Sequence, residues 1–327
     1  MEMPPAVPTD SYSTAREFVG ALQLSDHWVQ KARWSSPWVF RGQQDASWSL
    51  TPSAWRSGST PALRRLDALR AEILARSGVG VASAINARHG AEGANGQQVA
   101  HAYAQALAEF SLILEFVETA DALGHSVPGM DQYKRLKNHD WFPDLGSYPN
   151  LRLLPEPNAA TALAQHHGIP TRCLDWSRNP FVAAFFAAHG IEQAAENQEI
   201  AVWAVRPDQL YWHTERTASP ENYQRYLVHE APRGENEFLQ AQDALFLHPV
   251  TACAHYSKHG AWPKLEDLAL QVGAYYSAPV IRKLTLPASQ VGELLRLLWL
   301  QGVSKAHLMP TYDNVTSGLV LKWRWSE

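Results

Sequence analysis

Between residues 62 and 122, apolar residues recur at intervals of three and four positions. This spacing places apolar side chains on one face of a helix, so it predicts helices over the region. The glycine-rich residues 87–96 interrupt the pattern and predict an exposed loop between the helices. Two series of apolar residues show the spacing, namely Leu63, Leu66, Leu69 and Ile73, then Tyr103, Leu107, Phe110, Ile113 and Val117.

Shorter elements surround this helical region, and residues 123–156 are expected to be mostly loop with one helical turn near 131–137. Four further helices are predicted, at about 13–32, 158–167, 180–190 and 287–301. Strands are predicted at 38–42, 171–174, 199–205, 244–250, 279–286 and 318–325. Helices and strands are segregated as much as they are interleaved, which favours an α+β fold over a doubly wound parallel sheet.

The positions of proline set the predicted limits of the domain. Pro4, Pro5 and Pro8 cannot continue a helix or donate to a strand ladder, so residues 1–12 are expected to form a flexible lead. Residues 13–327 are expected to form one domain with a helical insertion over about 60–156.

Composition and charge exclude several classes of protein. The chain is 46% hydrophobic and 18% charged with a formal net charge of -4, which is typical of a globular protein and gives no general attraction to a polyanion. Any contact with nucleic acid would therefore be local. Two cysteines, Cys173 and Cys253, are too few for a disulfide framework. No basic leader and no run of ~18 apolar residues occurs, so a cytoplasmic protein without a membrane partner is expected.

The first segment with candidate chemistry is Phe40-Arg41-Gly42-Gln43, at the end of a predicted strand. The planar guanidinium of Arg41 can bind a diphosphate or a carboxylate, and Gly42 would let a ligand approach the backbone. The alternative is that Arg41 makes a structural salt bridge.

The second segment, residues 165–177, is denser in reactive side chains and lies between two packing elements, where a loop can reach a pocket. Its polar and aromatic residues are Gln165, His166, His167, Thr171, Arg172, Asp175, Trp176 and Ser177. Structural alternatives exist for each of them. The two histidines could cap a helix, Trp176 could fill the core, and Asp175 could pair with Arg172 or Arg41. The adjacent histidines lack a third nearby ligand, so no metal is expected.

In a third segment, residues 235–246, acidic and amide side chains precede a predicted strand. One of them could present its side chain at the mouth of the strand; the alternative is a solvated turn. No GxGxxG, P-loop, GxSxG or HExxH motif occurs in the chain.

Together the three segments resemble the FRG domain family, named for its Phe-Arg-Gly motif. The resemblance spans most of residues 15–315 and is most specific over residues 165–188. It departs from the family pattern at Phe238 and Ala244, where the family usually carries a basic residue and a glycine. The other matching positions are Phe40 to Gln43, Trp48, Pro52, Arg56, Asn236, Gln242, Phe246, and residues 302–304 and 308–310.

A more distant likeness connects the chain to ADP-ribosyltransferases of the Arg–Ser–Glu type. Arg41 matches the arginine of an early strand, and Asp175-Trp176-Ser177 lies where that family has its serine motif. Asn179-Pro180 and Phe186-Ala187 keep the spacing of the following helix. The third element would fall on residues 240–242 or 235–237. The implied fold is an ADP-ribosyltransferase-like split antiparallel sheet with an added helical region.

This likeness implies NAD as the substrate. Arg41 would bind the diphosphate or the adenosine ribose, Asp175 or Ser177 the nicotinamide ribose, and Trp176 would stack near the nicotinamide. The implied catalytic residues are Arg41, Asp175, Glu237 and Gln242. The implied NAD-binding residues are Phe40, Arg41, Gly42, Gln43, His167, Thr171, Arg172, Trp176 and Ser177.

The activity implied is transfer of ADP-ribose from NAD to a macromolecule, with nucleic acid, RNA or DNA bound through a local patch, favoured over protein. The FRG family is associated with toxins and phage defence, so an antitoxin or regulatory protein is an expected partner. The alternative is a non-catalytic module of a defence system that binds a nucleotide or a partner. Gln242 is neutral and would stabilise a developing cation poorly, so the enzymatic hypothesis needs Glu237 or Glu235 beside Arg41. Both hypotheses require that Arg41 and residues 175–177 face one cavity.

Overall fold

A computed structural model of the protein describes residues 6–24, 28, 37–89, 96–138, 157–191, 193–217, 225–230 and 241–325. These residues form a mixed α+β fold, as predicted, in which helices cover both faces of one sheet. The strands of the described residues are β1 (Thr9–Ser11), β2 (Val39–Gln43), β3 (Leu174–Ser177), β4 (Glu199–Val205), β5 (Tyr226–His229), β6 (Ala244–Pro249) and β7 (Ile281–Pro287).

The long helices form where the apolar spacing predicts them, and other helices connect the strands. In the described part of the chain, the helices are α1 (Ala15–Leu22), α2 (Pro61–His89), α3 (Gly96–Ala122), α4 (Met130–Asn138), α5 (Ala159–His166), α6 (Pro180–Ala188), α7 (Pro207–Thr217), α8 (Ala252–His259), α9 (Leu265–Tyr276), α10 (Val291–Leu300), α11 (Lys305–Leu308) and α12 (Tyr312–Arg324). None of the described helices is both long enough and apolar enough to cross a bilayer.

The sheet has the strand order β1-β7-β4-β2-β3-β6-β5. The β1–β7 pairing is parallel and the other pairings are antiparallel. β2 and β4 are paired along five positions, whereas β2 and β3 meet at one pair, Phe40 with Ser177. The described strands thus form one mixed sheet, and the split antiparallel sheet of ADP-ribosyltransferases is not confirmed. The sheet is most weakly joined between β2 and β3.

Two hydrophobic clusters cover the two faces of the sheet. On one face, α1, α6 and α10 pack on β2, β4 and β7, with Phe18, Phe40 and Leu284 in the cluster. On the other face, α9 packs on β3, β4 and β6, with Trp176 and Trp203 in the cluster. Helices α2 to α5 bury their own apolar faces in separate clusters beside the sheet. The strand positions are therefore constrained from both sides.

Besides the helix predicted at about 13–32, which ends at Leu22, three element predictions differ from the structure. Residues 9–11 form an edge strand rather than part of a flexible lead, because the Pro8 carbonyl accepts from Lys283 N (2.9 Å) and the ladder continues along β7. The strand predicted at 318–325 is wrong. These residues belong to α12, which begins where the Thr311 hydroxyl caps Asn314 N (3.2 Å).

The third difference affects the site, because the strand predicted at 171–174 lies three residues later, at Leu174–Ser177. Thr171 is held outside the sheet by hydrogen bonds to Ser53, which belongs to a short helical turn at Ser53–Trp55. Asp175 and Ser177 therefore project from a strand rather than from a loop.

Candidate functional site

A cavity of about 370 Å³ lies where β2 and β3 separate, beside α5 and α6. This volume is near the lower end of the range for small-molecule sites, roughly 300–1,000 Å³. It joins the first two sequence segments, since Arg41 and Asp175 both line it. Its walls are formed by Phe40, Arg41, Gly42, Ala162, Gln165, His166, Asp175, Trp176, Ser177, Val182, Ala183, Phe186, Gln242, Ala244, Phe246 and Met309.

Gly42 determines how closely α6 approaches the cavity. A Cβ atom at this position would lie 2.0 Å from Ala183 O and 2.5 Å from Ala187 N, so only glycine fits between strand and helix. α6 begins beside the site because Asn179 Oδ1 accepts from Phe181 N (2.9 Å) and Pro180 occupies the first turn. The glycine of the Phe-Arg-Gly motif thus admits a helix, whereas the sequence predicted that it would admit a ligand.

Arg41 and Asp175 contact each other at the edge of the cavity. Arg41 Nη1 donates to the Asp175 backbone oxygen at 2.8 Å and lies 3.5 Å from Oδ2. The Arg41 side chain is 15% exposed and that of Asp175 is 54% exposed. Arg41 Nε is buried and has no hydrogen-bond partner among the described residues. The predicted salt bridge and the predicted cavity position therefore both occur, and the guanidinium keeps donor capacity.

A second cation lies near this pair. Arg56 Nε donates to Thr51 O at 2.8 Å. Burial lowers the pKa of Arg56, the positive charge of Arg41 lowers it further, and Asp175 acts in the opposite direction. Arg56 does not line the cavity, but its charge lies close enough to interact with those of Arg41 and Asp175.

α5 contributes two cavity residues that were not among the predicted site residues, Gln165 and His166. Gln165 donates to Asp175 Oδ1 and accepts from the Thr171 hydroxyl. Burial lowers the pKa of His166, as does the neighbouring His167, whereas Asp175 opposes the shift. The helical spacing of the sequence could have indicated these two residues, because Ala162, Gln165 and His166 lie at i, i+3 and i+4 on one face of the helix.

Ser177 and Gln242 line the cavity, but Ser177 Oγ and Gln242 Nε2 form hydrogen bonds with other residues of the protein. Ser177 Oγ donates to Gln242 O (2.7 Å) and accepts from Asn179 N (3.0 Å). Gln242 Nε2 donates to Leu308 O at 3.3 Å. These bonds join the end of β3, the start of α6, the segment just before β6 and the end of α11, so both side chains help to hold the wall in place.

Four predicted site residues do not line the cavity, namely Gln43, His167, Thr171 and Arg172. Gln43 accepts from Trp203 Nε1 at 2.7 Å, within the packing below the sheet. His167 is the C-cap residue that follows α5 and stacks on Phe116, with ring centroids 6.2 Å apart. Thr171 lies behind Gln165, and Arg172 pairs with Glu109 in the helical region.

Phe40 and Trp176 line the cavity as buried residues. Phe40 is fully buried against α1 and α6, and Trp176 is 2% exposed in the cluster beneath the sheet. The indole of Trp176 is thus packed on its own core neighbours, which leaves no exposed face for the predicted stacking on nicotinamide. Glu235 and Glu237, the acids required by the enzymatic hypothesis, lie outside the described residues.

Metal binding receives no geometric support in this part of the molecule. Among the described residues, no three His, Cys, Asp or Glu side chains are grouped closely enough to hold an ion.

Comparison with known proteins gives one match. Residues 133–196 match the family model of the FRG domain, a segment that contains α5, β3 and α6 but neither Arg41 nor Gln242. No curated protein and no solved structure matches the chain. The likeness to ADP-ribosyltransferases thus has no support from these comparisons. The match over residues 133–196 supports the resemblance of this chain to the FRG domain family.

Proposed function

We propose that the cavity between β2 and β3 binds NAD as a substrate and that the protein transfers its ADP-ribose to a macromolecule. The observation that carries this proposal is the contact between Arg41 and Asp175 at one cavity, formed by segments 134 residues apart. The pair offers a cation for a diphosphate and an exposed carboxylate for a ribose. Nucleic acid is the favoured acceptor through the defence association of the FRG resemblance, which also makes an antitoxin or regulatory protein a proposed partner.

Arg41 is suited to exchange partners. Its contact with the Asp175 carboxylate is long, 3.5 Å, and the carboxylate is half exposed, so the ion pair contributes little, on the order of 1 kcal/mol or less. A diphosphate can accept two parallel hydrogen bonds from a guanidinium, which is a stronger arrangement. The nearby charge of Arg56 adds to the attraction for an anion.

Asp175 is suited to stabilise the charge that develops when the bond between ribose and nicotinamide breaks. When the bond between the ribose and nicotinamide breaks, nicotinamide leaves with the bonding electron pair and positive charge develops on the ribose. A fixed carboxylate nearby stabilises this charge. The acceptor then forms the new bond to the ribose carbon and releases its proton to solvent. Phe186, which is only partly buried, supplies an apolar wall at which an aromatic ring can lie.

A second candidate, nucleotide binding without cleavage, is favoured by one observation. Gln242, the polar residue among the described residues of the third segment that line the cavity, is an amide whose Nε2 is already bonded to Leu308 O. A neutral side chain in that position supplies no charge to the transition state. Binding of the substrate would still use Arg41.

The test measures nicotinamide release and NAD binding with purified protein. The wild type is expected to bind NAD and to release nicotinamide, whereas Arg41→Met should bind it at least about tenfold more weakly. Asp175→Asn should bind but release ~100-fold more slowly. Arg65→Met is the matched control, because Arg65 pairs with Glu115 on the surface of the helical region.

The outcomes separate the two candidates. Binding without release, in the wild type, selects the non-catalytic candidate. Absence of binding removes both. Glu237→Gln extends the test to the acidic residue of the third segment, and unchanged release in this variant would leave Asp175 as the acid used.

A further inference from the structure

A chain of hydrogen bonds reaches Asp175 from behind the cavity. Cys173 N donates to the Thr171 hydroxyl at 3.2 Å, and this hydroxyl donates to Gln165 Oε1. Gln165 Nε2 then donates to Asp175 Oδ1, while Arg41 Nη1 approaches Oδ2 at 3.5 Å. Thr171 and Gln165 together connect a backbone amide to the carboxylate.

The direction of this chain follows from the carboxylate at its end. An ionised carboxylate can only accept hydrogen bonds, so Gln165 presents its NH₂ group to Asp175 Oδ1. The carbonyl oxygen of Gln165 then faces Thr171 and accepts the proton of the Thr171 hydroxyl, which itself accepts from Cys173 N. The opposite amide orientation would place two oxygen acceptors, Oε1 and Oδ1, against each other. Both carboxylate oxygens of Asp175 thus have a donor, Gln165 at Oδ1 and Arg41 at Oδ2.

The start of the chain is fixed to the short helical turn at Ser53–Trp55. Thr171 N donates to Ser53 Oγ at 3.0 Å, and Ser53 Oγ donates to Thr171 O at 3.1 Å. Ala54 N also donates to Thr171 O, at 3.0 Å. Because Thr171 is 1% exposed, water does not compete for these bonds. The hydroxyl that orients Gln165 therefore has little freedom to move.

We propose that Thr171 and Gln165 are positioning residues that hold the Asp175 carboxylate toward the cavity independently of Arg41. The functional part of this inference rests on the proposed function. When a diphosphate attracts Arg41, Asp175 loses one partner, and a half-exposed carboxylate would otherwise rotate into solvent. The bond from Gln165 keeps one oxygen fixed, so that the other oxygen faces the developing positive charge.

The first measurement requires no substrate. With isotope-labelled glutamine, the side-chain amide of Gln165 is expected to give a shifted, slowly exchanging resonance, identified by its loss in Gln165→Leu. Thr171→Val removes the hydroxyl proton, and Asp175→Asn removes the anionic acceptor, so both should move this resonance toward the positions of exposed glutamines. Thr171→Ser keeps the hydroxyl and should preserve it.

The matched control is Thr285→Val. Thr285 is 2% exposed and donates to Ser11 Oγ at 3.0 Å on β7, so its loss lowers stability without touching the chain. The Gln165 resonance should be unchanged in this variant. A resonance that is the same in Thr171→Val as in the wild type, or that moves equally in Thr285→Val, overturns the proposal.

The second measurement is nicotinamide release. Thr171→Val and Gln165→Leu are expected to lower kcat by ~100-fold with little change in KM, and Thr171→Ser should restore most of the rate. An equal loss in Thr171→Ser and Thr171→Val would overturn the positioning role. If the wild type releases no nicotinamide while the resonance pattern holds, the proposed function fails and the hydrogen-bond chain stands.

Discussion

Two arginine–carboxylate pairs in this protein have the same chemistry and different surroundings. The Arg41–Asp175 pair lies at the edge of a cavity, with side chains 15% and 54% exposed. The Arg172–Glu109 pair lies between α3 and the segment before β3, with side chains 6% and 1% exposed. The first pair borders a cavity of about 370 Å³, whereas the second borders a space of about 20 Å³.

The buried pair is also more fully bonded. Arg172 Nε donates to Glu109 Oε2 at 2.7 Å, and Glu109 Oε1 accepts from Trp55 Nε1 (3.2 Å) and Gln105 Nε2 (2.9 Å). Burial by itself would lower the pKa of Arg172, but the negative charge of Glu109, the influence of Cys253 and the hydrogen bonds to both side chains together more than offset this and leave the pKa raised. Each guanidinium keeps one buried nitrogen without a partner among the described residues, Nε in Arg41 and Nη2 in Arg172. The two arginines therefore differ in the exposure of the pair and in its surroundings, rather than in how fully the guanidinium is hydrogen-bonded.

The largest expected effect comes from breaking the buried pair. Arg172→Met leaves the Glu109 carboxylate without its cation in the interior, and we expect a loss of about 3–5 kcal/mol in the free energy of unfolding. Chemical denaturation measures it. Arg172→Met combined with Glu109→Gln removes both charges and keeps an acceptor for Trp55, so it should recover more than half of the loss. A single variant within about 1 kcal/mol of wild type would contradict this assignment.

The next largest effect is expected for Gly42→Ala, which tests whether the close packing of α6 on β2 beside the cavity requires glycine. The added Cβ would meet the backbone of α6, so we expect a loss of about 1–3 kcal/mol, or failure to fold. Gly20→Ala in α1 is the matched control, because no atom lies within 4 Å of its added Cβ, and it should be neutral or stabilising. Equal effects of the two substitutions on thermal unfolding would argue against the close approach of α6.

A smaller change in stability is expected at the cavity pair itself. Arg41→Met should lower the free energy of unfolding by about 1–2 kcal/mol, because it removes the 2.8 Å hydrogen bond to the Asp175 backbone oxygen and a long contact with a half-exposed carboxylate. The same variant should also lose NAD affinity. Arg41→Met should thus weaken NAD binding with only a small loss of stability, whereas the main effect of Arg172→Met should be on stability. Denaturation curves and NAD titration on one preparation measure both. A destabilisation similar to that of Arg172→Met would erase the contrast between the two pairs.

The smallest expected effect is a dependence of stability on pH that arises from a histidine on α8. Burial lowers the pKa of His255 on α8 to about 4, with contributions from His259 and Lys258. The unfolded chain binds this proton near the ordinary value of 6.5, whereas the folded protein binds it only near 4. The free energy of unfolding should therefore fall as the pH drops from about 6.5 to about 4.

The expected loss is about 1 kcal/mol or less, because His255 is only partly buried and solvent screens part of the shift. His255→Gln should flatten the stability profile over this pH range. An identical profile for wild type and variant would show that His255 does not control it.

The elements with strong periodicity could be predicted from the sequence, and those that depend on distant partners could not. The helical spacing at 62–122 is confirmed by α2 and α3, and the apolar runs at 199–205 and 279–286 by β4 and β7. β3 was displaced because Ser53 holds Thr171 outside the sheet, a contact between residues 118 positions apart. The strand predicted at 318–325 failed because a helix cap at Thr311 outweighed the β propensity of its valine and leucine residues.

The same distinction applies to the candidate site. The sequence identified both segments that meet at the cavity, because arginine beside glycine and a dense polar loop are local signals. It misassigned Gln165 and His167, since the cavity-facing side of α5 depends on where the helix lies in the fold. It could not rank Arg41 above Arg172, because both are arginines near strands and both have a carboxylate partner.

The amino-acid sequence by itself determined the mixed fold class, the long helices and the two segments that form the site, because hydrophobic spacing and residue chemistry are local properties. Only the tertiary structure decided which arginine is buried, which glycine admits a helix and which carboxylate is exposed. Burial and hydrogen-bond partners depend on residues far apart in the chain, such as Arg41 with Asp175 and Arg172 with Glu109, separated by 134 and 63 positions.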